Sequence, residues 1–576
     1  MYRSSIALNR LAVRRATAKS ARTSSTLSTR KISNENHHQH QKGFNNVKLT
    51  TALGLTGLSL CAGYAVGAST KNSGEESHPD RVLPSGMPRG CCSCDSPPIE
   101  LNLTEVQKRL PSKLSKIVGK DNFFSGMSED STNTTFLKGA RLGRGKALAI
   151  VQPESIADAV KALEVVVEAD CVVIPQGQNT GLTGGSVPRD DDSRPTVIIN
   201  MRKLDTMFPI DDGKKVVCLA GSGIATLASN LSAWGFDDRE SHSTLGSTFL
   251  NPSTAAGVSL GSGGTQLRKG PAYTDRALYA KVSQNKWGKR VVEIINTLGI
   301  EGIEDSDFPN NSGSVVEQLD IYAHDIKTGY DRPMATSSDS ADGKAKASDR
   351  DYPSIVCECG DDHKGSAVSR YNADTKGKDC NRSEGKVLIL ATVHDTFSRA
   401  REQKSFWISC QYFETAQAFR KEVCLNNPKD LPISVEYMDR DSFDVIDQSG
   451  RIMANLIKVV GVGSFVGLLW DVKLKLAALP FDGADLIGDK ILHALNNFTP
   501  AILPRRFMEA GQNMDHHISM SVGDFGEGEM DRCLERMNEF KKKNEGKIVI
   551  QECQNSGEEM SLTAFRFVAA PAFRTW

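Results

Sequence analysis

The chain has 576 residues, which is enough for about three or four domains of ordinary size. Lysine plus arginine and aspartate plus glutamate number 70 each, so no net basic field favours nucleic acid, and we expect no nucleic-acid partner. Thirteen cysteines are too few for a secreted disulfide framework.

The N-terminal region predicts a targeting signal and then a membrane anchor. Residues 1–34 contain eight arginines or lysines and no acidic residue, which is typical of a mitochondrial transit peptide, placed here at 1–40. A disordered basic tail is the competing interpretation. The stretch 47–70, uncharged after Lys48, just spans a bilayer as a helix and predicts a transmembrane anchor in the mitochondrial inner membrane. A second, cleaved part of the targeting signal is the alternative.

Residues 71–100 are rich in Ser, Pro, Gly and Cys and predict a linker. Two cysteine clusters each fall short of the four ligands that a zinc or iron–sulfur site needs, so we expect reduced thiols and no metal unless the two segments meet. The clusters are Cys91, Cys92 and Cys94, and Cys357 with Cys359.

Strand and helix patterns alternate over 101–400, where we expect one domain. Apolar, β-branched runs predict strands at "ALAIVQP" (147–153), "CVVIP" (171–175), "PTVIINM" (195–201), "KVVCLAG" (215–221) and "GKVLILATVHDTF" (385–397). Spacings of three and four predict helices over 155–169, capped by Ser155, and over 224–235. The polar, low-complexity residues 333–351 predict a surface insertion.

The residues 401–576 form a mixed α/β region of different character, which we interpret as a second, substrate-side and membrane-associated domain. Within it, 456–481 mixes apolar runs with three lysines. Such a segment can rest on lipid or form a buried core helix, and the pattern does not decide between them.

A glycine-rich run, "IPQGQNTGLTGGSVP" (174–188), follows the strand at 171–175. It has no charge from Pro175 to Ser186 and contains four glycines. Glycines after a strand allow positive φ and close approach of a ligand, and successive backbone N–H groups can converge on an anion. An ordinary turn explains one such run equally well.

A second glycine- and serine-rich run covers 246–264, about 70 residues further on. Two such backbone cradles suit a long ligand with a central diphosphate and two flat ends. The intervening "GSGIAT" (221–226) is a poor dinucleotide fingerprint because Thr226 replaces its third glycine. Hydroxyls such as Thr180, Ser186 and Ser253 can bind phosphate without adding charge.

These two runs, with "RKGPAYTD" (268–275), "RYNAD" (370–374), "EYMDRD" (436–441), "DHHISM" (515–520) and "FRFVAA" (565–570), closely resemble the membrane-associated, quinone-linked D-lactate dehydrogenases. These belong to the vanillyl-alcohol-oxidase-like flavoproteins with a PCMH-type FAD-binding domain. The resemblance covers nearly all of the chain after residue 100. It implies an α+β fold, with a two-lobed FAD-binding domain followed by the α/β substrate and membrane-associated domain.

The resemblance also implies which residues contact FAD. In the first run they are Gly177, Gln178, Asn179, Thr180, Gly181, Gly185 and Ser186, around the diphosphate. Gly246, Ser253, Gly263 and Ile389 would contact the flavin or adenine. By its pattern alone, Ile389 is simply a core strand residue. The first run has no histidine or cysteine to carry a covalent link, so we expect non-covalent FAD.

In the family, the flavin takes a hydride from C2 of D-lactate, giving pyruvate, and ubiquinone is the expected electron acceptor. An arginine suits the substrate carboxylate, and a histidine suits the hydroxyl proton. The candidates are Arg370, Arg505, Arg506 and Arg566, and His516 and His517. For each of them, a structural ion pair or a buried structural histidine is the plainer interpretation.

The family continues well beyond the segment that matches "FRFVAA", whereas this sequence stops at Trp576. We therefore expect the second domain to be incomplete: either the sequence is a partial one, or the protein binds flavin without full dehydrogenase activity. A flavin enzyme for another D-2-hydroxy acid, or for an alcohol oxidised with oxygen, is the other alternative.

Overall fold

A computed structural model describes residues 102–575 except 128–132, 140–141, 182, 243–250, 264–265, 304–312, 331–332, 338–344, 359–378, 461–495 and 497. The predicted transit peptide, anchor and linker therefore lie outside the described residues. So do Cys91, Cys92, Cys94 and Cys359, Gly246, Arg370 with the rest of "RYNAD", and most of 456–481. Within the described part, no helix combines the length and apolar character needed to cross a bilayer.

The described part is α+β, as expected. The helices are α1 Glu105–Val118, α2 Thr134–Leu137, α3 Ile156–Glu168, α4 Ile224–Ala233, α5 Thr254–Leu260, α6 Gly313–Thr328, α7 Tyr352–Glu358, α8 Phe413–Phe419, α9 Arg440–Val460, α10 Arg505–Ala510, α11 Glu529–Lys543 and α12 Ser556–Thr575. The strands are β1 Phe123–Phe124, β2 Ala149–Val151, β3 Val172–Gln176, β4 Thr196–Asn200, β5 Met207–Ile210, β6 Lys215–Leu219, β7 Arg239–Glu240, β8 Ala277–Gln284, β9 Arg290–Asn296, β10 Leu388–Asp395, β11 Phe397–Ser398, β12 Glu402–Cys410, β13 Ser434–Asp439, β14 His516–Asp524 and β15 Ile548–Glu552. All the strands and helices predicted from the sequence are confirmed.

Three sheets carry the fold. In the first, with the order β1-β2-β4-β3, the strands β2, β4 and β3 are parallel and β1 is antiparallel. The second, β5-β6-β10-β8-β9, and the third, β13-β14-β12-β15, are antiparallel throughout. A further, two-stranded sheet pairs β7 with β11, and both of these strands precede the third sheet in the chain.

The central strands of the first sheet, β2 and β4, are buried on both faces, which is why they are largely apolar. Ile150 and Ile198 pack with Phe136 on one face. Their neighbours Val151 and Ile199 belong to the main core on the other face. The helix α3 packs on that second face, and its N-terminal N–H groups are satisfied by two side chains. Ser155 accepts from the Asp158 N–H at 3.0 Å, as predicted, and Asp320 of α6 accepts from Ile156 and Ala157 at 2.7 and 2.9 Å.

The third sheet is covered by helices on both faces. Ile408 of β12 packs with Phe419 of α8 and with residues of α11. The next side chain back along the strand, Trp407, points to the opposite face and packs against Phe443 of α9 and Phe565 of α12. Alternation of side chains along the strand produces these two separate cores.

The interpretation of 333–351 as a surface insertion needs correction at its C-terminal end. Ala347 and Ser348 are buried, and the Ser348 hydroxyl donates to Asp395 at 2.6 Å. At its other end, Ser337 donates its backbone N–H to Asp211 at 2.7 Å. A polar composition predicted exposure, but these polar groups are hydrogen-bonded partners of charged side chains inside the fold.

Candidate functional site

The first glycine run begins where β3 ends, and its polar side chains hold it in shape. Gln176 donates to the carbonyl oxygen of Ser186 at 2.7 Å. Asn179 has a φ of 54° and donates to the carbonyls of Thr135 and Lys138, both at 2.9 Å, while its Oδ1 accepts from the Ser186 hydroxyl at 2.7 Å. The side chains of Asn179 and Ser186 are therefore occupied by hydrogen bonds within the protein.

Three side-chain amides line up at the carboxyl ends of the parallel strands. Asn200, which is fully buried, accepts from Gln152 at 2.9 Å and donates to Gln176 at 2.8 Å. It also donates to the carbonyl oxygen of Gly177 at 3.0 Å. In parallel sheets this edge is where ligands bind, and the amide row fixes the first residue of the glycine run there.

The structure brings the two glycine runs together at Gly177 and Ser253. A Cβ placed on residue 177 would lie 2.6 Å from the Ser253 hydroxyl oxygen, which is closer than real Cβ atoms approach. Ser253 is buried and caps α5, because its hydroxyl accepts from the Ala256 N–H at 3.3 Å. Since that hydroxyl is still able to donate, Ser253 can cap the helix and donate a hydrogen bond to an acceptor oxygen at the same time.

Beyond Gly177, the run is open where a ligand would lie. Among the described residues, a Cβ on Gly181 or on Gly185 would meet no atom within 4 Å beyond its chain neighbours, and both residues are exposed. Gln178 and Thr180 are half-buried. An open, uncharged glycine loop is compatible with the diphosphate of FAD, whose charge can be met by backbone dipoles.

The segment 142–145 supports the far end of the first run, and the sequence argument missed it. Gly184 has a φ of 79°, and a Cβ there would lie 2.8 Å from the Leu142 carbonyl oxygen. A Cβ on Gly143 would in turn lie 3.1 Å from the Gly184 Cα. The available signal was the glycine pair in "RLGRG", whose small residues permit this close backbone contact.

The second run is held by the loop 379–386. The backbone N–H groups of Arg382 and Glu384 donate to the carbonyls of Val258 and Ser259, at 3.0 and 2.9 Å. Of the predicted contacts here, Gly263 is half-buried, and Ile389 is a buried residue of β10 paired with Tyr279. The roles of these residues toward FAD stay predictions.

The histidine candidates lie at one end of β14. His517 is buried, its Nδ1 hydrogen-bonds the Ser409 hydroxyl at 3.0 Å, and its ring stacks on Trp407 at 5.4 Å. Burial lowers the pKa of His517 to about 4. His516 is half-buried, and its Nδ1 hydrogen-bonds the Tyr437 hydroxyl at 2.8 Å. At the opposite end of the strand, the backbone carbonyl oxygen of Asp524 accepts a hydrogen bond from the Arg401 N–H. Arg401 belongs to the segment that connects the third sheet to the first two.

The described arginine candidates are each paired with a carboxylate. Arg566 of α12 donates to Glu436 of β13 at 3.0 Å, and Arg506 is bound to Glu558. Arg505, highly exposed, pairs with Glu509 one helical turn away at 2.6 Å. Their assignment to the substrate carboxylate stays a prediction.

Comparison with known protein families agrees with this geometry. Residues 147–274, which include the strands β2 to β6 and the described part of both glycine runs, match the family model described as a FAD binding domain. The chain is therefore a flavoprotein of the class that binds FAD on a mixed α/β domain. Residues 405–576 match a second model, described as D-lactate dehydrogenase, membrane binding.

Curated relatives define the family more narrowly. The Quinone-dependent D-lactate dehydrogenase of Corynebacterium glutamicum is 30% identical over 465 residues, which cover 79% of this chain and 74% of that protein. The protein of the same name from Haemophilus influenzae is 29% identical over 435 residues, or 74% and 71% of the two chains. This chain belongs to the quinone-dependent D-lactate dehydrogenase family. Among solved structures, 4-ethylphenol oxidase from Gulosibacter chungangensis is similar at 11% identity and a TM-score of 0.45, covering 82% of this chain and 73% of its own.

Proposed function

We propose that this chain is a membrane-associated enzyme that oxidises D-lactate to pyruvate with bound FAD and passes the electrons to a quinone. The observation that carries the proposal is the close approach of Gly177 to Ser253, since it brings two uncharged, glycine-rich runs that are distant in sequence to one place, as a dinucleotide site requires. Family membership supports the substrate and the acceptor.

FAD, when bound, supplies the acceptor for the hydride that leaves C2 of the substrate. The residues of this chain must bind the cofactor, orient the substrate carboxylate and take the hydroxyl proton. Gly181 and Gly185 offer open backbone for the first task, and the amide row at Asn200 keeps that backbone in place.

For the second and third tasks we propose the same candidates as before, His516, His517, Arg370 and Arg566. The described contacts place conditions on two of them. Arg566 would have to leave or share Glu436, and His517 has only its buried Nε2 without a hydrogen bond in the described part. Of the histidines, His516 is the more accessible.

The finer location is also a proposal: the mitochondrial inner membrane, with ubiquinone as the acceptor. The acid-free composition of residues 1–34 and the uncharged stretch ending at residue 70 support import and anchoring. The match of residues 405–576 to a membrane-binding model supports contact with a membrane by this domain as well. Alkaline extraction of isolated mitochondria tests this, since an anchored protein stays in the pellet and a peripheral one is released.

The central experiment is a visible spectrum of the purified full chain with D-lactate, with L-lactate as the control. We expect a flavin spectrum that bleaches with D-lactate only and returns when a soluble quinone analogue is added. Other D-2-hydroxy acids and an oxygen electrode distinguish the alternative enzymes. A bound flavin that no 2-hydroxy acid bleaches would contradict the proposed reaction. Acid precipitation should leave all FAD in the supernatant, because the first run has no side chain for a covalent link.

A further inference from the structure

Two buried histidines stack face to face in the first part of the described chain. The rings of His242 and His394 lie 3.9 Å apart and are inclined by only 8°. Both are almost completely buried, at 5% and 1% exposure. His394 lies on β10, whereas His242 follows β7 directly and precedes the segment that contains Gly246.

The nitrogens of this pair are largely unsatisfied. Neither ring nitrogen of His242 has a hydrogen-bond partner in the described part of the chain, and Nδ1 of His394 has none either. The remaining nitrogen, Nε2 of His394, hydrogen-bonds the Thr392 hydroxyl at 2.9 Å. Buried polar atoms in native proteins are nearly always paired, so two free nitrogens on one ring indicate a missing partner.

His242 differs in this respect from His517, which is also buried. His517 has one nitrogen bonded to Ser409, and its ring packs among aromatic side chains, as expected for a core residue. The surroundings of His242 are polar instead. Lys269, itself buried, bonds the carbonyl oxygen of Ser241 at 2.9 Å and Glu240 at 2.8 Å, immediately before His242 in the chain.

Burial, more than the neighbouring charges, favours the neutral form of His242. Burial lowers the pKa of His242 well below its ordinary value, and His394 and Lys269 lower it further, against an opposing effect of Asp395. A neutral imidazole carries one N–H donor and one acceptor nitrogen. A neutral His242 can therefore form hydrogen bonds with an uncharged ligand that presents both an acceptor and a donor along one edge.

We propose that His242 is a direct hydrogen-bonding contact of the isoalloxazine ring of FAD, with His394 as the ring on which it stacks. The edge of that ring system carries carbonyl oxygens and an N–H group, which match a neutral imidazole. The glycine runs provide main-chain groups for the diphosphate, and His242 supplies a side-chain contact outside both runs. This inference rests on the proposed function, because it assumes that FAD lies between the runs.

The test uses the full-length protein stripped of FAD and titrated with FAD, by flavin fluorescence and visible absorption. His242→Phe keeps an aromatic ring on His394 and removes both nitrogens. We expect it to raise the FAD dissociation constant about tenfold and to shift the bound flavin spectrum and reduction potential. His242→Asn, which retains one donor and one acceptor, should recover part of the affinity.

His324→Phe is the matched control, since it makes the same replacement at an exposed histidine of α6. We expect FAD affinity within about twofold of the wild type for this variant. Thermal unfolding of the FAD-free proteins gives a second readout: His242→Phe should be as stable as the wild type or more stable, because it removes unpaired buried nitrogens.

The outcomes separate the two proposals. Wild-type affinity and an unchanged flavin spectrum in His242→Phe would overturn the role of His242, whatever the enzyme oxidises. A His242→Phe protein that is strongly destabilised without FAD would also overturn it, since that marks a structural histidine. A wild-type protein that binds FAD but is not reduced by D-lactate would contradict the proposed reaction alone. A wild-type protein that binds no FAD would overturn both.

Discussion

The hydroxyl oxygen of Ser253 occupies the space that a side chain on Gly177 would need, with only 2.6 Å to the ideal Cβ position. We expect Gly177→Ala to force these two segments apart. Overpacking of this kind costs about 1–3 kcal/mol of unfolding free energy. The FAD-free variant should therefore melt at a lower temperature and bind FAD more weakly than the wild type. Equal melting temperatures for the two FAD-free proteins would show that the loops adjust freely.

The complementary prediction concerns Gly181→Ala, which should affect FAD binding and leave stability unchanged. In the part of the chain that the structure describes, a Cβ at this position meets no atom within 4 Å beyond its chain neighbours, and Gly181 is not among the residues with positive φ. The FAD-free variant should unfold at the wild-type temperature, while its affinity for FAD falls because the methyl group enters the space assigned to the cofactor. Differential scanning calorimetry and FAD titration of the same preparations measure both. Wild-type affinity in Gly181→Ala would place the cofactor elsewhere.

The strands and the capped helix α3 could be predicted because their signals are local. Ser155 precedes an apolar periodicity, and it caps α3 as expected. The contact of Gly177 with Ser253 could not be predicted from spacing, because it depends on how β3 and α5 are arranged in three dimensions. The resemblance to a family predicts that both residues contact one ligand, and the structure brings the two residues close together.

The roles of the charged and titratable candidate residues were harder to predict, because these roles depend on partners that are distant in sequence. Arg566 pairs with Glu436, 130 positions earlier, and no pattern near either residue indicates this. His517 follows His516 directly, yet alternation along β14 sends the former into an aromatic core and leaves the latter half-buried. The unpaired nitrogens of His242 likewise have no sequence signature.

Asn200→Asp tests the amide row at the edge of the first sheet. The Asn200 amide donates to Gln176 and to the Gly177 carbonyl, and an aspartate of the same shape cannot donate to either. We expect the unfolding free energy to fall by about 3 kcal/mol, because two buried acceptors lose their donor. Chemical denaturation of the FAD-free proteins measures this.

Asn285→Asp is the control for that substitution. Its amide oxygen only accepts, from the backbone N–H groups of Trp287 and Lys289, both at 3.0 Å, in the exposed turn between β8 and β9. A carboxylate accepts equally well, so the unfolding free energy should stay within about 0.5 kcal/mol of the wild type. Equal losses in the two variants would argue against the amide row.

Asp430 joins the turn after α8 to α11, because Arg532 and Arg536 both bind it, at 2.6 and 3.2 Å. The hydrogen bond from Arg532 holds the pKa of Asp430 below its ordinary value. A lowered folded-state pKa stabilises the fold above the unfolded-state pKa of about 3.9, and that stabilisation is lost as the pH falls through the folded-state pKa. Asp430→Asn should lower the unfolding free energy at pH 7 by about 2 kcal/mol.

The Asp430→Asn difference from wild type should shrink as the pH falls below about 4, as measured by denaturation across that range. Asp191→Asn is the control, since Asp191 pairs with Arg189 on the open surface and its loss should have no measurable effect. A difference that persists unchanged at low pH would show that the carboxylate charge is not what binds the two arginines.

Buried neutral histidines predict a second, separate loss of stability on mild acidification. Burial lowers the pKa of His517 to about 4 and that of His394 to about 3, whereas an unfolded histidine titrates near 6.5. Between pH 6.5 and about 4 the unfolded chain therefore binds protons that the folded chain does not, and the unfolding free energy falls with pH by up to about 1.4 kcal/mol per unit for each such histidine. His517→Phe retains the contact with Trp407 and should flatten this slope, whereas His324→Gln, at an exposed site, should leave it unchanged. Parallel pH curves for wild type and His517→Phe would show that the pKa of His517 is the same in the folded and unfolded protein, and so that burial does not keep this histidine neutral.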